Sequence, residues 1–292
     1  MAPLIPRFHL FEIDDQPWFP SFLRAYVQEA LHRAWVYKVP VLQTSPPAHV
    51  AAEILQSVLG PRLPSYTFID FCAGSGGPTP AIERAVNRHL AAQKRPAVNF
   101  VLTDLHPNPD SWARAAAKSD HIGYEPRSVD AAAAPGDLVA GYASGGKKVF
   151  RLFNLAFHHF DDPLASAILK NTLETSDGFA IFELQGRDVQ SFFMPALLGL
   201  GTLLFTPLLA WKLRSLTVLI FTYLIPILPF VLVFDGYISA LRTRTPAEVE
   251  ALMKSCGART EGWEFKSGRD LYMPPVGYVN WIVAEKISSR DW

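Results

Sequence analysis

Residues 68–78 read FIDFCAGSGGP, an apolar run that leads through an acidic residue into a cluster of glycines. Gly74, Gly76 and Gly77 have no Cβ, so the backbone can turn sharply there and a ligand can lie against main-chain N–H groups. We expect a helix from about Thr79, and its N-terminus would point at the same place. The stretch therefore predicts a nucleotide-like ligand at the end of a buried strand.

Further polar residues follow at the expected ends of later strands. The apolar run 98–103 predicts a second strand that ends at Asp104, and Asp130 provides a third acidic position. The run 148–153 predicts a fourth strand, which continues into Asn154 and the sequence LAFHHFDD. An acidic residue at the end of the second strand can hold the two hydroxyls of a ribose. This order predicts an α/β sheet with one ligand site across several strand ends.

The glycine spacing separates this site from that of a nicotinamide dehydrogenase. Dinucleotide sites use the pattern Gly-x-Gly-x-x-Gly, in which the third glycine lets the helix pack closely. After Gly76 come Gly77, Pro78 and Thr79, so the third glycine is missing. The sequence also has no Gly-x-x-x-x-Gly-Lys-Ser/Thr phosphate loop.

Over roughly residues 51–188 these motifs resemble those of the class I S-adenosylmethionine-dependent methyltransferases. The resemblance implies a three-layer Rossmann-like α/β fold with a mixed, mostly parallel sheet, and S-adenosyl-L-methionine as the cofactor. It implies that Asp70, Ala73, Gly74 and Gly76 surround the methionine part of the cofactor, that Asp104 holds the ribose and that Asp130 meets the adenine amine. Ser75, Leu105 and Asn154 complete the predicted cofactor site.

His158 and His159 are the predicted catalytic residues. The resemblance places them near the transferred methyl group, and a neutral imidazole can take a proton from a hydroxyl or an acidic carbon. The alternative is that one or both only hydrogen-bond the loop. No metal site is predicted, because Cys72 and Cys256 make neither a disulfide framework nor a metal cluster.

Residues 191–211 and 215–234 carry no charged side chain, and each run reaches the length of about 20 residues that spans a hydrocarbon core. Two consecutive buried helices would need a larger protein shell than 292 residues supply. We therefore predict an inserted hydrophobic helical hairpin in a membrane. Its prolines break helices, so a spanning hairpin and a shallow re-entrant or interfacial one both stay open.

The chain is expected to comprise an N-terminal helical cap (1–50), a cofactor-binding core (51–190), the membrane hairpin (191–234) and the C-terminal part of the core (235–292). The strings FEIDDQPWFP and FDGYISALRT, together with the glycine motif, look like those of a family of membrane-associated methyltransferase-like proteins. Two closing strands are expected after a helix that starts at Thr245.

Lys and Arg number 27, as do Asp and Glu, so no basic surface favours a nucleic acid partner. The expected function is methyl transfer from S-adenosylmethionine to oxygen or carbon of a lipophilic small molecule. The acceptor would come from the bilayer, and the catalytic domain would face the cytosol. The alternative is a catalytically inactive, membrane-anchored scaffold or cofactor-binding module.

Overall fold

A computed structural model of the chain describes residues 3–142 and 144–287. Seven strands form one sheet: β1 Tyr66–Phe71, β2 Phe100–Thr103, β3 Ile122–Tyr124, β4 Lys148–Asn154, β5 Gly178–Glu183, β6 Trp263–Met273 and β7 Gly277–Lys286. The α-helices are α1 Ser21–Val36, α2 Pro47–Leu59, α3 Thr79–Ala92, α4 Pro109–Ala116, α5 Gly136–Tyr142, α6 Asp162–Thr175, α7 Val189–Leu213, α8 Leu216–Leu219, α9 Ile227–Arg242 and α10 Pro246–Ser255.

The strand order is β3-β2-β1-β4-β5-β7-β6, and β1 lies between β2 and β4. Phe68 pairs with Phe100 on one side and with Phe150 on the other, both in parallel register. β7 runs antiparallel to β5 and β6, which confirms the predicted mixed, mostly parallel sheet. The order reverses between β1 and β4, and ligands of open α/β sheets bind outside the carboxyl ends of the strands at such a switch point.

Two apolar clusters cover the two faces of the sheet, so the fold has three layers. On one face, the Phe68 ring stacks on Phe100 with centroids 4.7 Å apart, beneath α2 and α3. On the other face, Phe71 stacks on Phe153 at 6.0 Å, beneath α6 and α10. Burial of each such ring contributes about 1.5–3 kcal/mol. Every residue of β1 is buried, so packing on both faces fixes the position of the strand that carries Asp70.

One expectation about the strand ends is wrong. β3 ends at Tyr124, so Asp130 lies in the following loop and not at a strand end. Pro126 explains the short strand, because proline has no N–H to continue the ladder. The loop nevertheless returns to the sheet edge, where the Val129 N–H donates to the carbonyl of Asp104 at 2.9 Å.

The predicted hydrophobic hairpin does not consist of two equal membrane-spanning helices. Among the described residues, α7 alone is long and apolar enough to cross a membrane by itself. The second arm consists of α8, a π-helical turn Ile220–Leu224 and α9, with a bend of 68° before α9. Pro226 and Pro229 lie at or just after the bend, where the missing N–H groups interrupt helical hydrogen bonding.

The predicted domain boundaries do not coincide with element ends. The boundary at 50/51 falls inside α2, and the boundary at 234/235 falls inside α9. Residues 1–2 and 288–292, at the outer ends of the first and last predicted parts, lie outside the described residues. The four-part division therefore stays a prediction.

Candidate functional site

The loop between β1 and α3 takes the sharply turned form that its glycines predict. Gly74 and Gly77 have φ angles of 53° and 48°, and Gly76 has a φ of 109°. The Gly76 N–H donates to the Ala73 carbonyl at 2.7 Å. A Cβ at Gly76 would lie 3.9 Å from the indole of Trp112, so the obstacle to a side chain there is the backbone angle. Trp112 Nε1 donates to the Gly74 carbonyl at 3.0 Å and braces the turn from α4.

Asp70 is buried beneath this loop and takes part in a polar chain. The Thr79 hydroxyl donates to Asp70 Oδ2, and Asn154 Nδ2 donates to the Thr79 hydroxyl at 3.0 Å. Asp70 Oδ1 and Asn154 Oδ1 are buried acceptors without a hydrogen-bond partner among the described residues. Burial raises the pKa of Asp70 to about 7, although the hydrogen bond from Thr79 and the nearby Asn154 amide oppose the shift. Two unmatched acceptors at one place favour a ligand with several N–H donors.

Asp104 fastens the glycine loop to the end of β2. Its Oδ2 accepts from the Gly74 N–H at 2.8 Å, and its Oδ1 accepts from the His106 N–H at 2.7 Å. The residue is half-buried. A carboxylate has about four lone-pair directions, so this one retains capacity for two ligand hydroxyls.

The other predicted cofactor residues lie around the same edge. Asp130 is exposed, and its Oδ1 accepts from the Ala132 N–H at 2.8 Å. The Leu105 carbonyl accepts from the Ser128 hydroxyl at 2.6 Å, while the Leu105 side chain is exposed. Ser75 is exposed and Ala73 is buried.

Cys72 directly follows β1, and three of these acids lie close enough to affect its thiol. Burial raises the pKa of its thiol, and the carboxylates of Asp104, Asp70 and Asp130 raise it further. Asp70, Asp104 and Asp130 therefore form an acidic rim around the glycine loop. Such a rim suits a ligand that combines a cationic group with sugar hydroxyls.

His158 belongs to a second cluster, four residues after Asn154. It is buried, and Glu183 at the end of β5 holds it twice. The His158 N–H donates to Glu183 Oε1 at 3.1 Å, and Nδ1 lies 2.9 Å from Glu183 Oε2. A carboxylate accepts only, so Nδ1 carries the proton and Nε2 keeps its lone pair when the ring is neutral. Glu12 Oε1 lies 3.8 Å from Nε2, beyond hydrogen-bond length.

His159 has a different environment. Its Nδ1 lies 3.0 Å from Asp15 Oδ2 and 3.7 Å from Glu12 Oε2. Burial lowers its pKa, but the hydrogen bond to Asp15 and the carboxylates of Glu12, Asp15 and Asp14 outweigh burial and raise the pKa to about 9. At neutral pH this ring is therefore an imidazolium. The two rings are neighbours, with centroids 4.2 Å apart.

The carboxylates at His159 come from the N-terminal segment, residues 3–20, which lies against α9. Arg242 forms an ion pair with Glu12, with Nη1 3.0 Å from Oε1, and it donates a hydrogen bond to Asp15 Oδ2 at 3.2 Å. Asp235 accepts from the backbone N–H groups of Ile13 at 2.7 Å and Asp14 at 3.0 Å. Charged hydrogen bonds from α9 thus hold the segment over both histidines.

Donor atoms of Glu12, His158 and His159 lie within 4.8 Å of one another, which is close enough for one metal ion. Arg242 already neutralises Glu12, and Asp15 already binds His159. These partners explain the grouping as an ionic network. The expectation of no metal site stays a prediction.

A small cavity lies beside His158, between the sheet and the start of α10. Its lining combines apolar side chains with the polar groups of Glu183, Asn280 and Arg244. The apolar part includes Val249 and Trp281. A lining of this kind suits a mostly apolar ligand with one or two polar groups.

Sequence reasoning brought together Asp70, Gly74, Asp104 and Asn154 but missed several partners. The sequence predicts Thr79 only as a helix start, although its hydroxyl joins Asp70 to Asn154. The sequence does not indicate the parts played by Glu12, Asp15 and Trp112, because their partners lie far away in sequence. The acidic run at residues 12–15 was the available signal, and it gives no indication of what it contacts.

No protein-family model and no curated protein matches the chain. Similar solved structures include LepI in complex with SAM (16% identity, TM-score 0.41, 80% of this chain and 46% of that one). They also include magnesium protoporphyrin IX methyltransferase from Synechocystis PCC 6803 with bound SAM (8% identity, TM-score 0.44, 94% and 88%). A third is the plantazolicin methyltransferase BpumL with a monoazolic desmethylPZN analog and SAH (11% identity, TM-score 0.47, 91% and 90%). This chain thus spans less than half of the LepI chain. At these identities and TM-scores, the chemistry has to be argued from the residues of this chain.

Proposed function

We propose that the chain binds S-adenosylmethionine at the carboxyl ends of β1, β2 and β4 and transfers its methyl group to a lipophilic small molecule. The observation that carries the proposal is the pair of buried, unmatched acceptors, Asp70 Oδ1 and Asn154 Oδ1. They lie beside a glycine loop that Asp104 ties to the second strand. A dinucleotide would instead need the third glycine, which is absent.

The residues present fit the groups of this cofactor. An ammonium group has three donors, and the free oxygens of Asp70 and Asn154 would accept two of them. Asp104 would hold the ribose hydroxyls, and Asp130, on the neighbouring loop, would meet the adenine amine. When bound, the sulfonium supplies a methyl group that is activated for in-line displacement.

The chain's own contribution would be to orient the acceptor, exclude water and, where needed, remove a proton. We assign proton removal to His158 Nε2, because Glu183 fixes the proton on Nδ1 and leaves Nε2 free to accept. His159 already carries a proton at neutral pH, so we assign it the part of holding Asp15 and Glu12 in place. Oxygen and acidic carbon are the acceptor atoms that would need such a base.

The apolar surface supports a lipophilic acceptor and membrane association. Most large side chains of α7 face outward, and Phe11 and Trp18 of the N-terminal segment are 58% and 66% exposed. An acceptor that partitions into the bilayer would approach the histidines along this surface. Both cysteines are free thiols, which agrees with a catalytic part on the cytosolic side.

One observation favours the alternative of an inactive, membrane-anchored module. His158 is only 3% exposed and lies under Glu12. An acceptor can reach Nε2 only if the N-terminal segment moves. An inactive module would bind the cofactor without turnover.

Calorimetric titration of the detergent-purified protein with S-adenosylmethionine, and separately with NADH, tests the cofactor. We expect micromolar binding of the first ligand and no binding of the second. Binding of neither ligand would contradict the proposal.

Methyl transfer from labelled S-adenosylmethionine into a membrane lipid extract then separates the enzyme from the inactive module. Glu183→Gln should lower turnover about 10–100-fold, because its amide can donate to Nδ1 and favour the wrong tautomer by about 1.5–3 kcal/mol. Cofactor affinity should not change. Glu264→Gln, an exposed position on β6, is the matched control. Equal turnover of Glu183→Gln and wild type would remove His158 from the role of base.

A further inference from the structure

In α7 the large apolar side chains face outward and the small residues face the protein, which is the reverse of a surface helix in a water-soluble protein. Small residues face the protein: Gly199 packs against Val233, where a Cβ would come within 2.4 Å of a methyl carbon, and Pro195 packs against Gly236. Large apolar residues face outward. This outer face comprises Phe192, Phe193, Leu197, Leu200, Leu203, Leu204, Phe205, Leu208 and Trp211, which are between 40% and 77% exposed.

The chemistry of the outer face and its edge matches a lipid leaflet better than a protein partner. No charged residue interrupts residues 191–211, so the face has no polar positions to pair with the rim of a protein interface. At its end lie Trp211, Lys212 and Arg214. Tryptophan favours the headgroup region of a bilayer, and long basic side chains extend to the same depth. An apolar centre with such an edge is typical of elements that lie in a membrane interface.

The position of α1 argues against a hairpin that crosses the bilayer. α1 lies along the hairpin: Leu23 packs in the same apolar cluster as the second arm, and the Tyr26 hydroxyl lies 2.9 Å from Ser215 Oγ at the hairpin tip. The same helix carries the ion pair Arg33–Glu29. A spanning hairpin would carry these charges into hydrocarbon, where each costs several kcal/mol.

The second arm leads to the same conclusion. Half of α9, including Asp235 and Arg242, is buried in the protein, and the arm bends by 68° before it. α9 therefore cannot separate from the catalytic part to complete a second straight span. α7, α8 and the π-helical turn offer exposed apolar surface, with Leu216 and Leu224 at 75% and 77% exposed.

We propose that the hairpin lies in one leaflet, with the outer face of α7 toward the acyl chains and α1 toward water, and that it does not cross the bilayer. The inference rests on the membrane association in the proposed function and specifies its geometry. The apolar surface continues onto the N-terminal segment, where Phe11 contacts Phe234 with ring centroids 6.2 Å apart. The segment that covers the histidines thus borders the leaflet, and an acceptor could reach them without passing through bulk water.

Cysteine labelling at the hairpin tip tests the geometry. The full chain with Cys72→Ala and Cys256→Ser, and with Arg214→Cys as its single cysteine, is synthesised in the presence of vesicles of phosphatidylcholine and phosphatidylglycerol. A membrane-impermeant maleimide should modify the tip cysteine without detergent. Modification only after detergent is added would place the tip in the lumen and overturn the proposal.

Flotation of purified protein with the same vesicles tests the outer face. Leu204→Glu should bind at least tenfold more weakly than wild type, whereas Leu164→Glu, at an exposed leucine of α6, should bind like wild type. If wild type binds S-adenosylmethionine but does not float, the docking proposal fails and the methyl-transfer proposal stands. If it floats but does not bind S-adenosylmethionine, the methyl-transfer proposal fails and the docking geometry stands.

Discussion

Replacement of Asp104 by alanine should weaken the binding of S-adenosylmethionine while the fold persists. The carboxylate accepts two backbone hydrogen bonds, from Gly74 and His106, and would accept two more from the ribose. A hydrogen bond to a charged group contributes about 1.5–3 kcal/mol net. Because the side chain is half-buried, we use the lower end of that range. Loss of the ribose contacts and slackening of the loop together predict about 3 kcal/mol, or about a 150-fold rise in Kd.

Isothermal titration with S-adenosylmethionine and S-adenosylhomocysteine measures this change. Asp104→Asn should fall in between, at about tenfold, because one oxygen remains to accept from the backbone. Asp110→Ala, at an exposed carboxylate in the first turn of α4, should bind like wild type. Far-ultraviolet circular dichroism should show that all three variants retain the fold.

A ligand without the 3′-hydroxyl separates contact with the ribose from support of the loop. If Asp104 holds that hydroxyl, the 3′-deoxy analogue of S-adenosylhomocysteine should bind more weakly than its parent to wild type but equally to Asp104→Ala. Equal affinity of Asp104→Ala and wild type for S-adenosylmethionine would refute the assignment. If Asp104→Ala lowers the affinity for the parent ligand and for its 3′-deoxy analogue by the same factor, Asp104 supports the loop and does not contact the 3′-hydroxyl.

Two further predictions concern stability, and urea denaturation measures both. The pKa of His159 is raised to about 9 in the folded protein. The stability that its charged form contributes is therefore fully present below pH 6.5 and is lost as pH rises through 9. Because the side chain is a third exposed, we expect the free energy of unfolding to fall by about 1–2 kcal/mol over this pH range. His159→Gln should not show this fall, and an identical pH dependence of the variant would contradict the prediction. Arg151 is fully buried in β4, its hydrogen-bond partners among the described residues are all neutral, and burial lowers its pKa to about 9. Arg151→Met should therefore be neutral or stabilising by about 1–2 kcal/mol, and a loss of more than 2 kcal/mol would show that those hydrogen bonds outweigh the cost of the buried charge.

The elements that could be predicted from sequence are those with local causes. The turn at residues 68–78 follows from glycines that adopt positive φ angles. The helix that begins after Thr245 has the complete predicted capping box, with both reciprocal hydrogen bonds formed. β3 also has a local cause for its early end, because Pro126 has no N–H to continue the ladder. In each case the deciding residues lie within a few positions of the feature.

The remaining features depend on partners that are distant in sequence. Asp235 accepts from Ile13 across 222 positions, and no local pattern indicates that pairing. The different protonation of His158 and His159 depends on which carboxylate lies beside each ring. Adjacent identical residues cannot show that difference in sequence, so the sequence predicts one role for both.

The attachment of the N-terminal segment to α9 has a consequence for how the chain is made. Leu4 donates to the carbonyl of Arg187 and Phe8 to that of Leu241, and Asp235 is synthesised 222 residues after Ile13. At about 5–20 residues per second, the segment waits on the order of 10–45 s for its partner to leave the ribosome. During that time its aromatic residues are free to bind chaperones or the nearest membrane. The cover over the histidines is therefore completed only after α9 has left the ribosome, and an abortive chain that lacks α9 would display a glycine loop without a closed site.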